Sequence, residues 1–246
     1  MKKIALCFLT INNLSKPKLW SNFLDKTDKY NLYFHNKEKF VDNENELHKY
    51  CIEEIVPTKW ADISLVHATL KLFETAFRDN ENEYFILLSD NCIPLYDLNS
   101  IYEKIVELDS NLISCGPWNQ NRAEKLNDKS FFFKEEFMKQ SQFFLLKRTT
   151  LEWFLNNDYT HIFGKKFVCA DEHYFINLLR KFNISYLNKR IMHVSWPIGS
   201  RSHPKENLIL TQKEIDEIKR GKGFNKYCFF IRKINKDCIL PEYYDL

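Results

Sequence analysis

The chain has 246 residues, 44% of them hydrophobic, which is enough to bury the core of one α/β domain. Its formal net charge of only +3 argues against a protein that binds nucleic acids. The seven cysteines are odd in number and form no Cys-x-x-Cys pair, so reduced thiols are expected and not a disulfide framework or a zinc site. Glycine is scarce and no linker-like run occurs, which favours a single domain over residues 1–246.

The N-terminus could imitate a signal peptide, because two lysines precede an apolar run. The run is short, however, and no cleavage site with small residues follows it. Residues 4–11 are instead predicted to form a buried strand of a parallel sheet. No stretch reaches the roughly 20 apolar residues that a membrane-spanning helix needs. The sequence therefore predicts a cytoplasmic protein without a transmembrane segment.

Short apolar runs then alternate with segments of helical periodicity. The clearest helix spans residues 62–78, where apolar residues recur every three or four positions and Asp62 is the predicted N-cap. Strands separated by helices predict a doubly wound α/β fold that binds ligands at the carboxyl ends of its strands. The other predicted elements are a helix at 18–24, a strand at 31–35, an apolar piece at 52–56, strands at 84–88 and 142–147, a helix at 149–156, strands at 185–187 and 191–195, and a helix from Thr211, with a capping box to Glu214, to Gly221.

The end of the predicted strand 84–88 is a candidate ligand site. Metal-dependent transferases of the GT-A type carry Asp-x-Asp there, whereas this chain has Ser89, Asp90 and Asn91, with a single carboxylate. A hard divalent cation usually takes at least one or two carboxylates in addition to phosphate oxygens. Asp90 could equally cap the turn before Pro94. No metal is expected, and a metal-dependent enzyme that uses Asp90 is the alternative.

Residues 168–182 contain the strongest candidate for catalysis. From Asp171 onward the apolar residues repeat with the spacing of one buried helix face, and Asp171 is the predicted N-cap. Glu172 would then lie in the first turn, at the positive end of the helix dipole, where a carboxylate can serve as a general base. Acidic first turns are also common in ordinary helices, so a purely structural role for both carboxylates stays open.

Three further segments have two or more interpretations each. The polar, irregular residues 109–140 form either an acceptor-binding loop or a surface excursion. Trp196, at the end of a predicted strand, either stacks on a sugar ring or belongs to the core. The basic and aromatic tail 222–236 could bind RNA, place cations on a diphosphate, or form a solvated strand edge.

Taken in order, several motifs resemble the core-2/I-branching β-1,6-N-acetylglucosaminyltransferases (glycosyltransferase family 14), most closely the plant-type, bacterial and viral members. The ordered set covers residues 56 to 234 and is more specific than any single motif. One motif departs from the family, because its His-x-Asp is His35-Asn36-Lys37 here. The matching motifs are Trp60-Ala61 with the helix after them, residues 84–95, Lys-Gln-Ser-Gln-Phe-Phe at 139–144, Asp-Glu-His-Tyr-Phe at 171–175, residues 193–196, His203-Pro204, and Phe-Phe-Ile-Arg-Lys at 229–233.

The resemblance implies a GT-A-like, Rossmann-type mixed sheet flanked by helices and an inverting, metal-independent sugar transfer. The implied donor is a UDP-sugar, first of all UDP-N-acetylglucosamine, with UDP-xylose as the alternative. The implied acceptor is a hydroxyl of a glycan or glycoconjugate. The alternatives outside enzymes are a sugar-nucleotide-binding protein without catalysis and an RNA-binding protein.

The resemblance also assigns roles to individual residues. Glu172 is the implied general base that takes the proton of the acceptor hydroxyl. Lys233 and Arg220, with Arg232 as the substitute for Arg220, are the implied cations on the donor diphosphate. The implied contacts to the donor or acceptor sugar are Asp90, Ser141, Gln142, Asp171 and Trp196, with Trp196 on the acceptor side and Ser141 and Gln142 beside the donor sugar.

Overall fold

A computed structural model describes residues 2–11, 13–24, 27–38, 46–118, 120–164, 166–197, 204–221, 227–242 and 244. His203 of the His203-Pro204 motif and the start of the basic tail, residues 222–226, lie outside the described residues. The helices are α1 (Pro17–Leu24), α2 (Ser64–Phe77), α3 (Leu98–Leu108), α4 (Arg148–Asn156), α5 (Tyr174–Lys181) and α6 (Gln212–Lys219). The strands are β1 (Lys3–Thr10), β2 (Tyr30–Asn36), β3 (Asn82–Ser89), β4 (Cys92–Pro94), β5 (Cys115–Gly116), β6 (Lys139–Gln140), β7 (Leu145–Lys147), β8 (Met192–Val194), β9 (Asn207–Ile209), β10 (Phe230–Arg232) and β11 (Ile234–Ile239).

A four-stranded sheet of order β2-β1-β3-β7 forms the centre of the fold. β1 pairs in parallel with β2 and β3, and β7 adds an antiparallel edge. Since side chains alternate along a strand, Ile4, Leu6 and Phe8 of β1 join one apolar cluster, whereas Ala5 and Cys7 join another on the opposite face. A strand covered on both faces needs such a continuous apolar run, which explains why the sequence reveals it so clearly.

Helices cover both faces of this sheet. On one face α1 and α3 contribute the buried Trp20, Phe23 and Ile101. On the other face α2, α4 and α5 contribute the buried cluster that includes Phe73 and Phe154. The predicted α/β fold with a doubly wound mixed sheet flanked by helices is therefore confirmed. None of the helices in the described part of the chain is long and apolar enough to cross a membrane.

A second sheet of three short strands lies at the carboxyl end of β3. β10 is its central strand and pairs antiparallel with β4 and parallel with β8, so Arg232 faces Cys92 on one side and Val194 on the other. The described portion of the basic tail thus contributes a strand to this sheet. Phe229, Phe230 and Ile231 of the tail are buried. The predicted solvated strand edge is therefore wrong for β10, which is a central strand, whereas RNA binding by the tail stays a hypothesis.

Two of the three predicted N-caps are wrong. α2 begins at Ser64 with Ile63 at the N-cap, and the carboxylate of Asp62 accepts a hydrogen bond from the Ser64 N–H at 2.9 Å. The carboxylate of Asp171 caps no α-helix, because Asp171 lies in a 3₁₀ turn and α5 starts only at Tyr174. The third, the capping box of Thr211 with its Glu partner at the start of α6, is confirmed.

Shorter differences concern the strands. The apolar piece at 52–56 forms no strand, and only Cys51 before it bridges Phe34 of β2. The predicted strand 142–147 is confined to β7, because the Phe143 N–H turns back to the Ser141 hydroxyl at 3.2 Å. The predicted strand 185–187 is reduced to a single β-bridge between Leu187 and Leu112. These short pieces depend on tertiary pairing more than on local pattern.

Candidate active site

A cleft of about 680 Å³ opens where β1, β3 and β10 end. This is the position that an open α/β sheet offers to a ligand, at the carboxyl ends of its strands. All but one of the sequence-predicted site residues line the cleft, namely Asp90, Ser141, Gln142, Asp171, Glu172, Trp196, Arg232 and Lys233.

The exception is Arg220. It is the C-cap of α6, and its Nε donates to the Asp216 carbonyl oxygen at 3.2 Å. Among the described residues, it is not one of those that line the cleft. A different guanidinium, that of Arg190 just before β8, lines the cleft instead and has no hydrogen bond or ion pair with any residue that the structure describes. Arg190 could not be predicted from the sequence, because a single arginine before a strand has no distinguishing pattern.

Glu172 lies in a tight 3₁₀ turn, Ala170–Glu172, which we call the base turn. Its carboxylate oxygen Oε2 is 3.0 Å from the Lys139 ammonium and 4.0 Å from the Arg122 guanidinium. The Glu172 side chain remains 27% exposed. The two cations therefore fix the direction of the carboxylate while leaving it accessible from the cleft.

Backbone hydrogen bonds fix the base turn in place. Cys169, which precedes it, has a left-handed φ of 59°, an unfavourable conformation for a residue with a side chain. The Cys169 N–H donates to the Ala61 carbonyl at 2.8 Å, and its carbonyl accepts from the Glu172 N–H at 3.1 Å. The bond to the distant Ala61, together with the local bond from Glu172, explains why the helix predicted to start at Asp171 begins later.

His173 supports the same turn from behind. Its ring stacks on Phe137 with a centroid separation of 5.3 Å, and its Nδ1 lies 3.0 Å from the Cys169 carbonyl oxygen. A carbonyl can only accept, so Nδ1 carries the hydrogen. Burial lowers the pKa of His173 to about 4, which leaves the ring neutral at pH 7. The Asp-Glu-His motif thus combines two cleft carboxyl groups with a structural histidine.

Asp171 has a different environment from its neighbour. Its Oδ1 is buried and has no hydrogen-bond partner among the described residues. Burial, and then the negative charge of Glu172, raise the pKa of Asp171 to about 7. A carboxyl group that keeps its proton near neutrality can donate a hydrogen bond to a ligand oxygen, which an ionised carboxylate cannot.

The raised pKa of Asp171 predicts a pH dependence of stability. The unfolded chain loses this proton near pH 4 and the folded protein only near pH 7, so the folded state binds more protons between these values. Stability should therefore fall as the pH rises through this window, by at most about 1.4 kcal/mol per pH unit from this residue. Urea unfolding of the wild type and of Asp171→Asn from pH 4 to pH 8 measures this, because the variant lacks the titrating group. A difference between the two proteins that stays constant with pH would contradict the prediction.

Cations lie on the β10 side of the cleft. The Arg232 guanidinium lies 4.7 Å from the Phe143 ring centroid, and its Nε donates to Asn91 Oδ1 at 3.3 Å. Lys233 follows, and its carbonyl accepts from the Asn207 N–H at 2.7 Å, which holds its backbone. The Lys233 ammonium forms no ion pair with the described residues, so its charge is available to a ligand.

Asp90 lies near these cations, just after the end of β3. Its Oδ2 accepts from the Ile11 N–H at 3.4 Å, and burial raises its pKa against the opposing effect of Arg232 and Lys233. Among the described residues, no group of three or more His, Cys, Asp or Glu is arranged to hold a metal ion. Metal independence stays a prediction, and it is tested below.

The segment that begins with β6 connects the two sides of the site. Ser141 and Gln142 line the cleft, and the Ser141 N–H donates to the Ser114 carbonyl at 2.7 Å. The buried Gln140 accepts from the Ile176 N–H of α5 at 2.7 Å through its Oε1. Lys139 at the start of this segment pairs with Glu172. The motif at 139–144 thus positions the base turn in addition to lining the cleft.

A model of a known protein family matches most of the chain. The family model of the Core-2/I-branching enzymes matches residues 4–219. The chain belongs to the Core-2/I-branching enzyme family. The resemblance inferred from the ordered motifs is therefore confirmed.

Two proteins similar to this Core-2/I-branching chain are glycosyltransferases by name. Glycosyltransferase BC10 of Oryza sativa subsp. japonica is 24% identical over 159 residues, which cover 61% of this chain and 39% of that protein. The apo structure of the bifunctional glycosyltransferase WbbM is 11% identical, with a TM-score of 0.48, and the match covers 94% of this chain and 45% of that one. The chain spans less than half the length of either protein.

The Core-2/I-branching match covers most of the site but not β10 and Lys233. Asp90, Asp171, Glu172 and Arg190 lie within residues 4–219, whereas β10 lies beyond them. The cations of β10 are brought to the cleft by pairing with β4 and β8, which are inside the match.

Proposed function

We propose that this chain is an inverting, metal-independent glycosyltransferase that moves a sugar from a UDP-sugar to a hydroxyl of a glycan or glycoconjugate. The observation that carries the proposal is that Glu172 and Lys233, whose ammonium forms no ion pair with the described residues, line one cleft although they come from distant parts of the chain. The first of them suits a general base, and the second suits a contact to a diphosphate.

The proposed reaction is a single displacement. Glu172 takes the proton of the acceptor hydroxyl. At the same time the hydroxyl oxygen attacks the anomeric carbon of the donor sugar from the face opposite to UDP. The bond from the anomeric carbon to the phosphate oxygen breaks as the new bond forms, and its electron pair leaves with UDP. Inversion follows from this geometry. Lys233, Arg232 and, in place of Arg220, Arg190 offset the negative charge that grows on the diphosphate.

UDP-N-acetylglucosamine is the proposed donor, and UDP-xylose is the alternative. The protonated Asp171 would donate a hydrogen bond to a sugar oxygen, and Ser141 and Gln142 would contact the same sugar. Asp90, near Arg232 and Lys233, would accept from a donor hydroxyl. The cytoplasmic location also stays a proposal.

A donor screen tests the function. UDP-N-acetylglucosamine, UDP-xylose and UDP-glucose are each incubated with the protein and a glycan mixture, and released UDP is measured beside calorimetric titration of UDP alone. Binding of UDP together with release from one donor would support a glycosyltransferase. Binding without any release would favour the non-catalytic sugar-nucleotide-binding alternative, and absence of UDP binding would reject both.

Removal of divalent metals is expected to leave transfer intact. Fixed cations of the chain would take the place that a metal has in other transferases, so EDTA should not lower the rate of UDP release. The measurement compares EDTA-treated protein with and without added Mn²⁺. Loss of activity with EDTA and recovery with Mn²⁺ would contradict the prediction. If Asp90→Asn then abolished the recovery, Asp90 would be a metal ligand.

A further inference from the structure

Three exposed tryptophans line the same cleft. The exposed fraction is 81% for Trp60, 60% for Trp118 and 53% for Trp196. Large aromatic side chains left in contact with water inside a cleft commonly mark a binding site. An indole offers a flat apolar face of the kind that the C–H face of a pyranose ring can cover.

Trp196 comes from a segment next to the cations of β10. It follows β8, whose last residue Val194 faces Arg232 in the neighbouring strand. Lys233 follows Arg232 directly, so the Trp196 backbone lies near these cations, and the acceptor-side role that the resemblance implies for its indole stays a prediction. The other two indoles come from different segments, and both of these segments are connected to Glu172.

The turn that carries Trp60 is bonded to the base turn. Ala61 has a left-handed φ of 60°, and its carbonyl accepts the 2.8 Å hydrogen bond from Cys169. The Lys59 N–H also donates to the Ser64 hydroxyl at 3.0 Å. The backbone that presents the Trp60 indole is therefore fixed relative to Glu172.

Trp118 is connected to Glu172 through a sheet. It follows β5, where Gly116 pairs with Lys139 of β6, and Lys139 is the ion-pair partner of Glu172. A Cβ atom on Gly116 would lie 3.3 Å from the Trp118 ring, so the indole rests directly against the glycine backbone. Glycine at this position lets the ring approach more closely than a residue with a side chain would.

We propose that Trp60 and Trp118 form the acceptor-binding platform, and that the acceptor is an oligosaccharide of pyranose units that stacks on them. This proposal rests on the proposed function, because it places the acceptor hydroxyl next to Glu172. A serine hydroxyl of a protein or a small alcohol would leave both indoles uncovered. The donor is assigned to the opposite side, beside the cations.

Disaccharide binding tests the proposal. Lactose, cellobiose and N,N′-diacetylchitobiose are titrated, with ligand-observed NMR, into the full-length protein saturated with UDP. At least one of them should bind, and Trp60→Ala and Trp118→Ala should each weaken its binding by about tenfold. Both variants should retain the wild-type affinity for UDP in calorimetry.

Three matched variants sharpen the test. Trp60→Phe should keep most of the affinity because it keeps an aromatic face. Gly116→Ala should weaken disaccharide binding by displacing the Trp118 ring. Phe133→Ala removes a ring that is 71% exposed and does not line the described cleft, so it should change neither affinity.

Two results would overturn the platform. One is that no disaccharide binds although UDP binds. The other is that the Trp60 and Trp118 variants weaken UDP binding as much as disaccharide binding, which would assign the indoles to the donor. If the wild type failed to bind UDP, the proposed function itself would fall, and the acceptor platform with it.

Discussion

Glu172→Gln is expected to lower the rate of sugar transfer by about 10²–10⁴-fold, the contribution typical of a general base. Glutamine has nearly the same size, and its amide oxygen can still accept from Lys139, which lies 3.0 Å from the carboxylate in the wild type. It cannot, however, take a proton from the acceptor hydroxyl. The measurement is UDP release in the presence of donor and acceptor, with UDP affinity measured separately by calorimetry.

The result for Glu172→Gln needs a control for a general effect of removing an acidic group. Glu103→Gln removes an exposed carboxylate on α3 and should have the activity of the wild type. Full transfer activity in Glu172→Gln would contradict the assignment of the base. Loss of UDP binding in that variant would show that the residue serves binding and not proton transfer alone.

Lys233→Ala is expected to lower turnover by about 10²–10³-fold, by analogy with the removal of one group that stabilises a developing oxyanion. It should also weaken UDP binding, because the Lys233 ammonium has no other partner among the described residues. Lys233→Arg should restore much of both, since a guanidinium also binds phosphate. Calorimetry with UDP and the UDP-release assay give the two quantities.

The controls for Lys233 come from the same part of the chain. Lys236→Ala removes an exposed lysine three residues further on and should have no comparable effect. Arg190→Ala should weaken UDP binding, whereas Arg220→Ala should not, because only the former lines the cleft. The opposite result would return the diphosphate role to Arg220.

The sequence predicted the fold best where burial leaves a pattern. β1, β3 and α2 are long and almost fully packed on a neighbour, so their apolar runs or stripes were readable. The three-residue strands β4, β8 and β10 contain too few residues for such a pattern. Their existence depends on pairing between segments far apart in the chain.

The site was predicted through motifs, and it departs from prediction where tertiary contacts decide. The motif at 171–175 led to Glu172, but the start of the helix was displaced by the bond from Cys169 to the Ala61 carbonyl. The ion pair of Glu172 with Lys139 joins two motifs that the sequence shows only separately. Trp118 and Arg190 were missed because their position in the cleft depends on chain segments remote in sequence.

The central position of β10 would give a bound nucleotide sugar a structural role. Asp90 lies two residues before β4, Arg190 lies two residues before β8, and Lys233 lies directly after β10. A nucleotide sugar that contacted all three residues would link the three strands of the small sheet to one another. The bound donor would then stabilise this sheet. Its release would loosen the strands that carry the charged residues needed for the next turnover.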